Sequence, residues 1–238
     1  MAPFFIVIFA LMTHHNDEVF KAKRKPKNPI TFKIQLNEEQ KEAKNVILEN
    51  HITIITGSAG SGKTLLATMT GLDMLFRREV EKLIITRPAV HAEEDLGYLP
   101  GGLDDKMDPW LQPIYQNFYA AYGKDKIDKE ITEGNIQLLP MGYIRGLTFT
   151  DSFIIADEVQ NLTHTQTEAL LGRLGKGSKM VLCGDIAQID LKSKKSSGLS
   201  FLRRVEENVD GFKFVTLKQN HRHEVVQPIL DVYKLFAD

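Results

Sequence analysis

Apolar residues along the chain keep two periods. Six short runs, 51–56, 82–86, 135–139, 152–156, 179–183 and 212–215, are rich in branched residues and too brief for helices, so they read as strands. Between them apolar residues recur every three or four positions, as in Ala43, Val46 and Ile47, or Leu65, Met69, Leu72 and Phe76. The same spacing marks Met107, Leu111, Ile114, Tyr115, Phe118 and Tyr122, then Leu199, Leu202 and Val205, and a last helix from about Val225 to Phe236. Start signals agree with this reading. Asn37 with Gln40, and Thr163 with Gln166, have capping-box spacing; the second helix is expected to run to about Leu174 and stop at Gly175. Asp108 as N-cap and Pro109 as first helical residue predict another start, with Pro113 as a kink. Strands alternating with helices predict an α/β domain around a mostly parallel sheet, with helices on both faces.

Composition changes this picture little. A chain of 238 residues, 42% hydrophobic and 26% charged, suits one large α/β domain with a real core. Its net charge of −1 provides no overall attraction to nucleic acid, so any such binding must use local patches. The lone cysteine, Cys183, excludes an internal disulfide and fits a reducing, cytoplasmic setting; its position suits a small apolar residue at a buried strand end. Residues 3–12 form an apolar run, too short to span a bilayer and without a basic leader. It is expected to pack on the domain or on a neighbouring subunit. Residues 21–27 hold five basic positions and read either as a solvated linker or as a phosphate-contacting arm. The expected organisation is an extension over 1–30 and one domain over 31–238.

Chemistry concentrates after the first strand. Gly57-Ser58-Ala59-Gly60-Ser61-Gly62-Lys63-Thr64 matches G-x-x-x-x-G-K-[ST] between a strand and a helix, the context that this phosphate-binding loop requires. Its glycines let successive N–H groups turn inward, and the helix start adds free donors and a positive dipole end. Lys63 is expected to reach the β- and γ-phosphates of ATP, and Thr64 to ligate Mg²⁺. The fourth strand ends in Asp157-Glu158. An acid delivered there would hold the metal beside Thr64, and Glu158 could take a proton from attacking water. That second acid favours hydrolysis over small-molecule kinase chemistry.

Other candidates are placed by pattern. Gln188, after Gly184-Asp185, could hydrogen-bond the γ-phosphate or its attacking water, and Arg222 could stabilise charge on that phosphate. Gln40 has two readings, as half of a capping box or as an amide that reads the adenine edge. Arg87 and Arg145 are candidate backbone contacts for nucleic acid. Trp110 and the nearby tyrosines could stack on bases, although an aromatic stripe at helical spacing is more often core. His221 and His223 have no cysteine or acid at metal spacing and read as structural.

G-S-A-G-S-G-K-T, D-E-V-Q, G-D-I-A-Q and Q-N-H-R, in this order, resemble motifs I to IV of superfamily 1 helicases. Thr86-Arg87-Pro88-Ala89-Val90, Leu96-Gly97-Tyr98-Leu99-Pro100-Gly101, Lys106-Met107-Asp108-Pro109-Trp110, Tyr143-Ile144-Arg145-Gly146 and Gly184–Leu191 narrow the resemblance to the PhoH family of P-loop ATPases, over about residues 31–236. Q-N-H-R-H-E-V-V lies closer to the helicase form of motif IV than to the usual PhoH form. The resemblance implies a RecA-like core that binds and hydrolyses ATP with Mg²⁺, associated with RNA metabolism and phosphate starvation. One core is present where a translocating helicase of this type uses two. The expected assembly is therefore a homo-oligomer, with a ring as one form, acting on RNA or single-stranded nucleic acid without a membrane. The alternative is a nucleotide-dependent switch with slow turnover and no unwinding. A GTPase and an ABC-type ATPase are disfavoured, since N-K-x-D and L-S-G-G-Q are both missing.

Overall fold

The computed structural model describes residues 30–88, 103–191 and 193–237. The apolar run at 3–12, the basic arm at 21–27 and the Leu96–Gly101 segment lie outside the described residues, as does the side chain of Trp110.

Six strands, β1 (Ile52–Gly57), β2 (Lys82–Thr86), β3 (Ile136–Leu138), β4 (Ser152–Ala156), β5 (Lys179–Gly184) and β6 (Phe212–Leu217), make one sheet in the order β3-β2-β4-β5-β1-β6. Every pairing is parallel. The central strands β1, β2, β4 and β5 are buried and mostly apolar along their length because both faces are covered. Alternate residues enter two cores. Ile55, Leu83, Ile85, Phe153, Ile155, Val181 and Cys183 face one, and Ile54, Ile84, Ile154, Met180 and Leu182 the other.

Helices α1 (Glu38–Glu49), α2 (Lys63–Phe76), α3 (Leu103–Ala121) and α4 (Lys124–Thr132) contribute to the first core; α5 (His164–Leu171) and α6 (Leu199–Glu206) contribute to the second. Helix α7 (Val226–Ala237) ends the described chain. Helix α2 is buried along nearly its whole length, and Gly71 lets it approach the sheet. A Cβ at that position would lie 2.7 Å from Leu83 Cδ1 and 2.8 Å from Phe153 Cδ1. Asp73 ties α1 to α2 by accepting from Lys44 and Arg77, each at 2.6 Å.

Both capping boxes form, Asn37 with Gln40 on α1 and Thr163 with Gln166 on α5. Two boundaries differ from the sequence reading. Helix α3 begins at Leu103 rather than Pro109 and continues through Pro109 and Pro113; only one hydrogen bond is forfeited per proline, and the apolar face from Ile114 to Ala121 packs on the core. Helix α5 stops at Leu171, with Gly172 as its cap. Gly175 serves a close approach instead, since a Cβ there would meet Phe149 O at 2.4 Å. Helix α4 was not expected; Ile127 and Ile131 supply its short apolar face. The stripe is largely core: Phe118 is buried, and Tyr119 and Tyr122 are partly buried against the same cluster.

Candidate nucleotide site

Parallel register explains how distant motifs meet. Gly57 pairs with Leu217, Thr56 with Gly184, Ala156 with Leu182 and Thr86 with Ala156. Residues just past each of these ends, including Ser58, Lys218, Asp185, Asp157 and Arg87, therefore emerge along one carboxyl edge. Ligands of open α/β sheets bind at that edge.

The loop after β1 needs its glycines. Gly60 and Gly62 have φ of 88° and 83°, in the left-handed region. A Cβ on Gly62 would stand 2.7 Å from Gln40 Nε2, and one on Gly60 would stand 2.6 Å from Arg222 Cγ and 2.8 Å from Asn220 Oδ1. The loop is thus gripped from two sides. The grip is itself anchored, because Glu39 accepts from the Lys218 and Gln219 backbone N–H groups at 2.7 and 3.2 Å. The His221 backbone N–H donates to Gly60 O at 3.0 Å, while Asn37 Nδ2 lies 3.2 Å from the His221 ring. His221 is accordingly part of the loop's support, a role that metal spacing could not reveal.

Lys63 Nζ donates to Gly57 O and Ser58 O at 2.8 and 3.0 Å, so its ammonium lies over the loop. Thr64 Oγ1 donates to Asp157 Oδ1 at 2.8 Å across the intervening end of β5. Burial pushes the Asp157 carboxyl above the ordinary carboxylate range; the Glu158 charge pushes the same way, and the Thr64 hydroxyl opposes both. Burial likewise pushes the Cys183 thiol well up, which leaves it unreactive.

Glu158 has φ 55° and ψ 36°, one of three left-handed non-glycine residues among those described. Such a conformation costs ~1–3 kcal/mol and is typically kept where geometry matters. Its Oε1 lies 3.5 Å from Arg87 Nη2, and its Oε2 accepts from Gln160 Nε2 at 2.6 Å. Gln160 also accepts, through Oε1, from the Asp185 backbone N–H at 3.1 Å. Asn161 accepts from the Asp190 N–H at 2.8 Å. These two buried amides pin both ends of the turn that carries Gln188. Gln160 stands within the D-E-V-Q segment, and the Gln-Asn pair right after two acids is the sequence signal for this role.

The structure thus brings Lys63, Thr64, Asp157, Gln40 and Arg222 to the loop, and Arg87 to Glu158. Gln40 forms its capping box, with Oε1 accepting from the Asn37 N–H at 3.2 Å and Nε2 at 3.5 Å from Ser61 O. Gln188 and Arg145 are exposed; neither side chain hydrogen-bonds the loop among the described residues.

The donor set fits Mg²⁺ in one mode. Among the described residues no group of three or more His, Cys, Asp or Glu is placed to hold a metal. The Thr64 hydroxyl and Asp157 carboxylate supply hard oxygens, the few protein ligands that Mg²⁺ takes alongside phosphates and water.

An all-parallel sheet with helices on both faces, a phosphate-binding loop between β1 and α2, and a buried acid meeting that loop's threonine define a P-loop NTPase. Sequence comparison then places it more narrowly: the chain belongs to the PhoH-like protein family, whose profile matches residues 33–234. It is 41% identical over 197 residues to the PhoH-like protein of Synechocystis sp., covering 82% of this chain and 60% of that protein. It is 39% identical over 196 residues to the PhoH-like protein of Bacillus subtilis, covering 82% and 61%. The chain therefore spans about 60% of the length of these curated relatives. Among solved structures, the large terminase of a thermophilic bacteriophage shares the fold, with a TM-score of 0.50 and 11% identity over 83% of this chain and 50% of that one. Among the described residues no helix is long and apolar enough to cross a membrane.

Proposed function

We propose that this protein is a Mg²⁺-dependent ATPase that acts on RNA or other single-stranded nucleic acid. The observation that carries the proposal is the 2.8 Å contact between Thr64 and buried Asp157, with Glu158 next in the chain. Backbone N–H groups of 57–64 and the Lys63 ammonium would bind the β- and γ-phosphates. Thr64 and Asp157 would hold Mg²⁺, which when bound neutralises charge on the phosphate oxygens. Glu158 would orient the attacking water and accept its proton as the new P–O bond forms and the bond to the β-phosphate oxygen breaks. Arg222, lying over Gly60, and Gln188, on its pinned turn, would stabilise charge on the transferring group. Gln40 is proposed to select adenine, and Arg87 and Arg145 are proposed contacts for the strand.

Phosphate release by the purified protein, with and without single-stranded RNA, tests this reading. Stimulation by RNA that disappears in E158Q supports it; RNA-independent release in the wild type refutes the nucleic-acid half. A second reading, a nucleotide-dependent switch with slow turnover, draws support from the engagement of both Glu158 oxygens. It predicts persistently slow release whatever strand is added.

We further propose a homo-oligomer with ATP at subunit edges, in a cytoplasmic setting suited to the lone reduced Cys183. Support comes from α7, whose Ile229, Val232, Tyr233 and Phe236 are all exposed, Phe236 by 86%. With Pro228 they line a shallow apolar groove, of the kind that marks interaction surfaces. Residues 31–238 are proposed to act as one domain, with 1–30 as an extension.

A further inference from the structure

We propose that Arg87 restrains Glu158 when no strand is bound and alternatively takes a phosphate of single-stranded RNA, so that strand binding draws it off the carboxylate. This rests on the ATPase reading above. A general base must turn a carboxylate lone pair to water, and each oxygen of Glu158 already holds one partner that fixes how the carboxylate faces, Oε1 holding Arg87 at 3.5 Å and Oε2 holding Gln160 at 2.6 Å. The two restraints differ. Gln160 is buried and tied to Asp185, so it is a fixed part of the fold. The Arg87 contact is long, and the two side chains are 24% and 35% exposed. Water screens a pair this open, and it holds only weakly.

A nucleic-acid phosphate suits Arg87 better than this single long contact does, because the guanidinium fork matches phosphate oxygens bidentately. The neighbouring surface is equipped for a strand. A 3₁₀ turn over Met141–Ile144 follows β3, and Thr86 Oγ1 lies 3.8 Å from Met141 Sδ, so that turn packs beside Arg87. It presents Tyr143, 57% exposed, and Arg145, also exposed, at the same sheet edge. An aromatic ring for base stacking and cations for the backbone are the elements of a single-strand platform. Arg87 alone among them also touches the hydrolytic carboxylate. The strand and the Glu158 carboxylate would then compete for one guanidinium, which couples strand binding to hydrolysis.

The experiment uses the full chain, with R87Q and R87K beside the wild type. Fluorescence anisotropy of a labelled oligouridylate, read without nucleotide across a salt series, reports the phosphate contact. Removing one such contact makes the log–log salt slope shallower by about 0.7, and R87Q is expected to show this. Steady-state turnover reports the restraint. R87Q is expected to raise the rate without RNA about tenfold, part of the ~10²–10⁴-fold that a positioned base supplies, with KM for ATP unchanged and RNA stimulation lost. R87K is expected to bring the basal rate back below that of R87Q. An unchanged salt slope overturns the proposal. So does an R87Q basal rate that falls while the stimulation ratio persists, which would make Arg87 a support holding Glu158 in its working pose. Failure of the function itself is distinguishable, because the wild type would then show no RNA-stimulated turnover, and the coupling falls with it.

Discussion

Gly60 occupies a position that the loop pattern leaves free, yet the structure predicts that Gly60→Ala is damaging in a specific way. Two costs can be separated. The backbone there has φ +88°, and a left-handed L-residue costs ~1–2 kcal/mol. The new Cβ would also lie 2.6 Å from Arg222 Cγ and 2.8 Å from Asn220 Oδ1. Ordinary carbon contacts need ~3.5–4.0 Å, so the arginine must retreat by about 1 Å. Because Arg222 is exposed, it can move at little cost to stability. The expected fall in Tm is therefore that of the backbone term alone, ~2–8 °C for a chain of this size. Catalysis should suffer more, since a displacement of about 1 Å in a positioned group can cost ~10²-fold in kcat. Thermal melting and steady-state ATP turnover of G60A, R222A and the double variant test this together. If the kinetic loss runs through Arg222, G60A/R222A turns over no more slowly than R222A. Wild-type turnover by G60A would refute the reasoning, as would a double variant that loses the product of the two single effects.

Asp157→Asn should separate activity from stability. The folded carboxyl titrates above its ordinary value, so the folded state binds the proton more tightly, and ionisation destabilises it as pH rises above ~4. In a chelator, D157N is expected to melt above the wild type near neutral pH, the gap closing as pH falls towards that value; a pH-independent gap would contradict this. With Mg²⁺, D157N should gain no stability from the ion and lose turnover. Gly71→Ala adds ~1 kcal/mol of helix propensity but forces a Cβ within 2.8 Å of buried Leu83 and Phe153, where overpacking costs ~1–3 kcal/mol. A lowered Tm is expected, and a raised one would show that the α2–sheet contact yields. Phe236→Ser, on the exposed face of α7, should lower the sedimentation coefficient if this face joins subunits; a wild type that is monomeric with and without ATP excludes the assembly.

Local chemistry in the chain already determined much of this protein. The strand runs, the loop at 57–64, the acids at 157–158 and the capping boxes at 37–40 and 163–166 all depend on neighbours a few residues apart, so periodicity and residue type expose them. Helix ends were less legible. Helix α3 starts at Leu103 and α5 stops at Leu171, against the local signals at Pro109 and Gly175. Tertiary structure alone decided which side chains meet. The register of five parallel pairings brought Arg87 against Glu158, Asn220 and Arg222 against Gly60, and Thr64 within 2.8 Å of Asp157. Gln160 and Asn161 likewise acquired their partners only where β4 and β5 lie side by side. The physical reason is separation along the chain. A contact between residues dozens of positions apart leaves no periodic trace in either segment, and only the closed sheet specifies it.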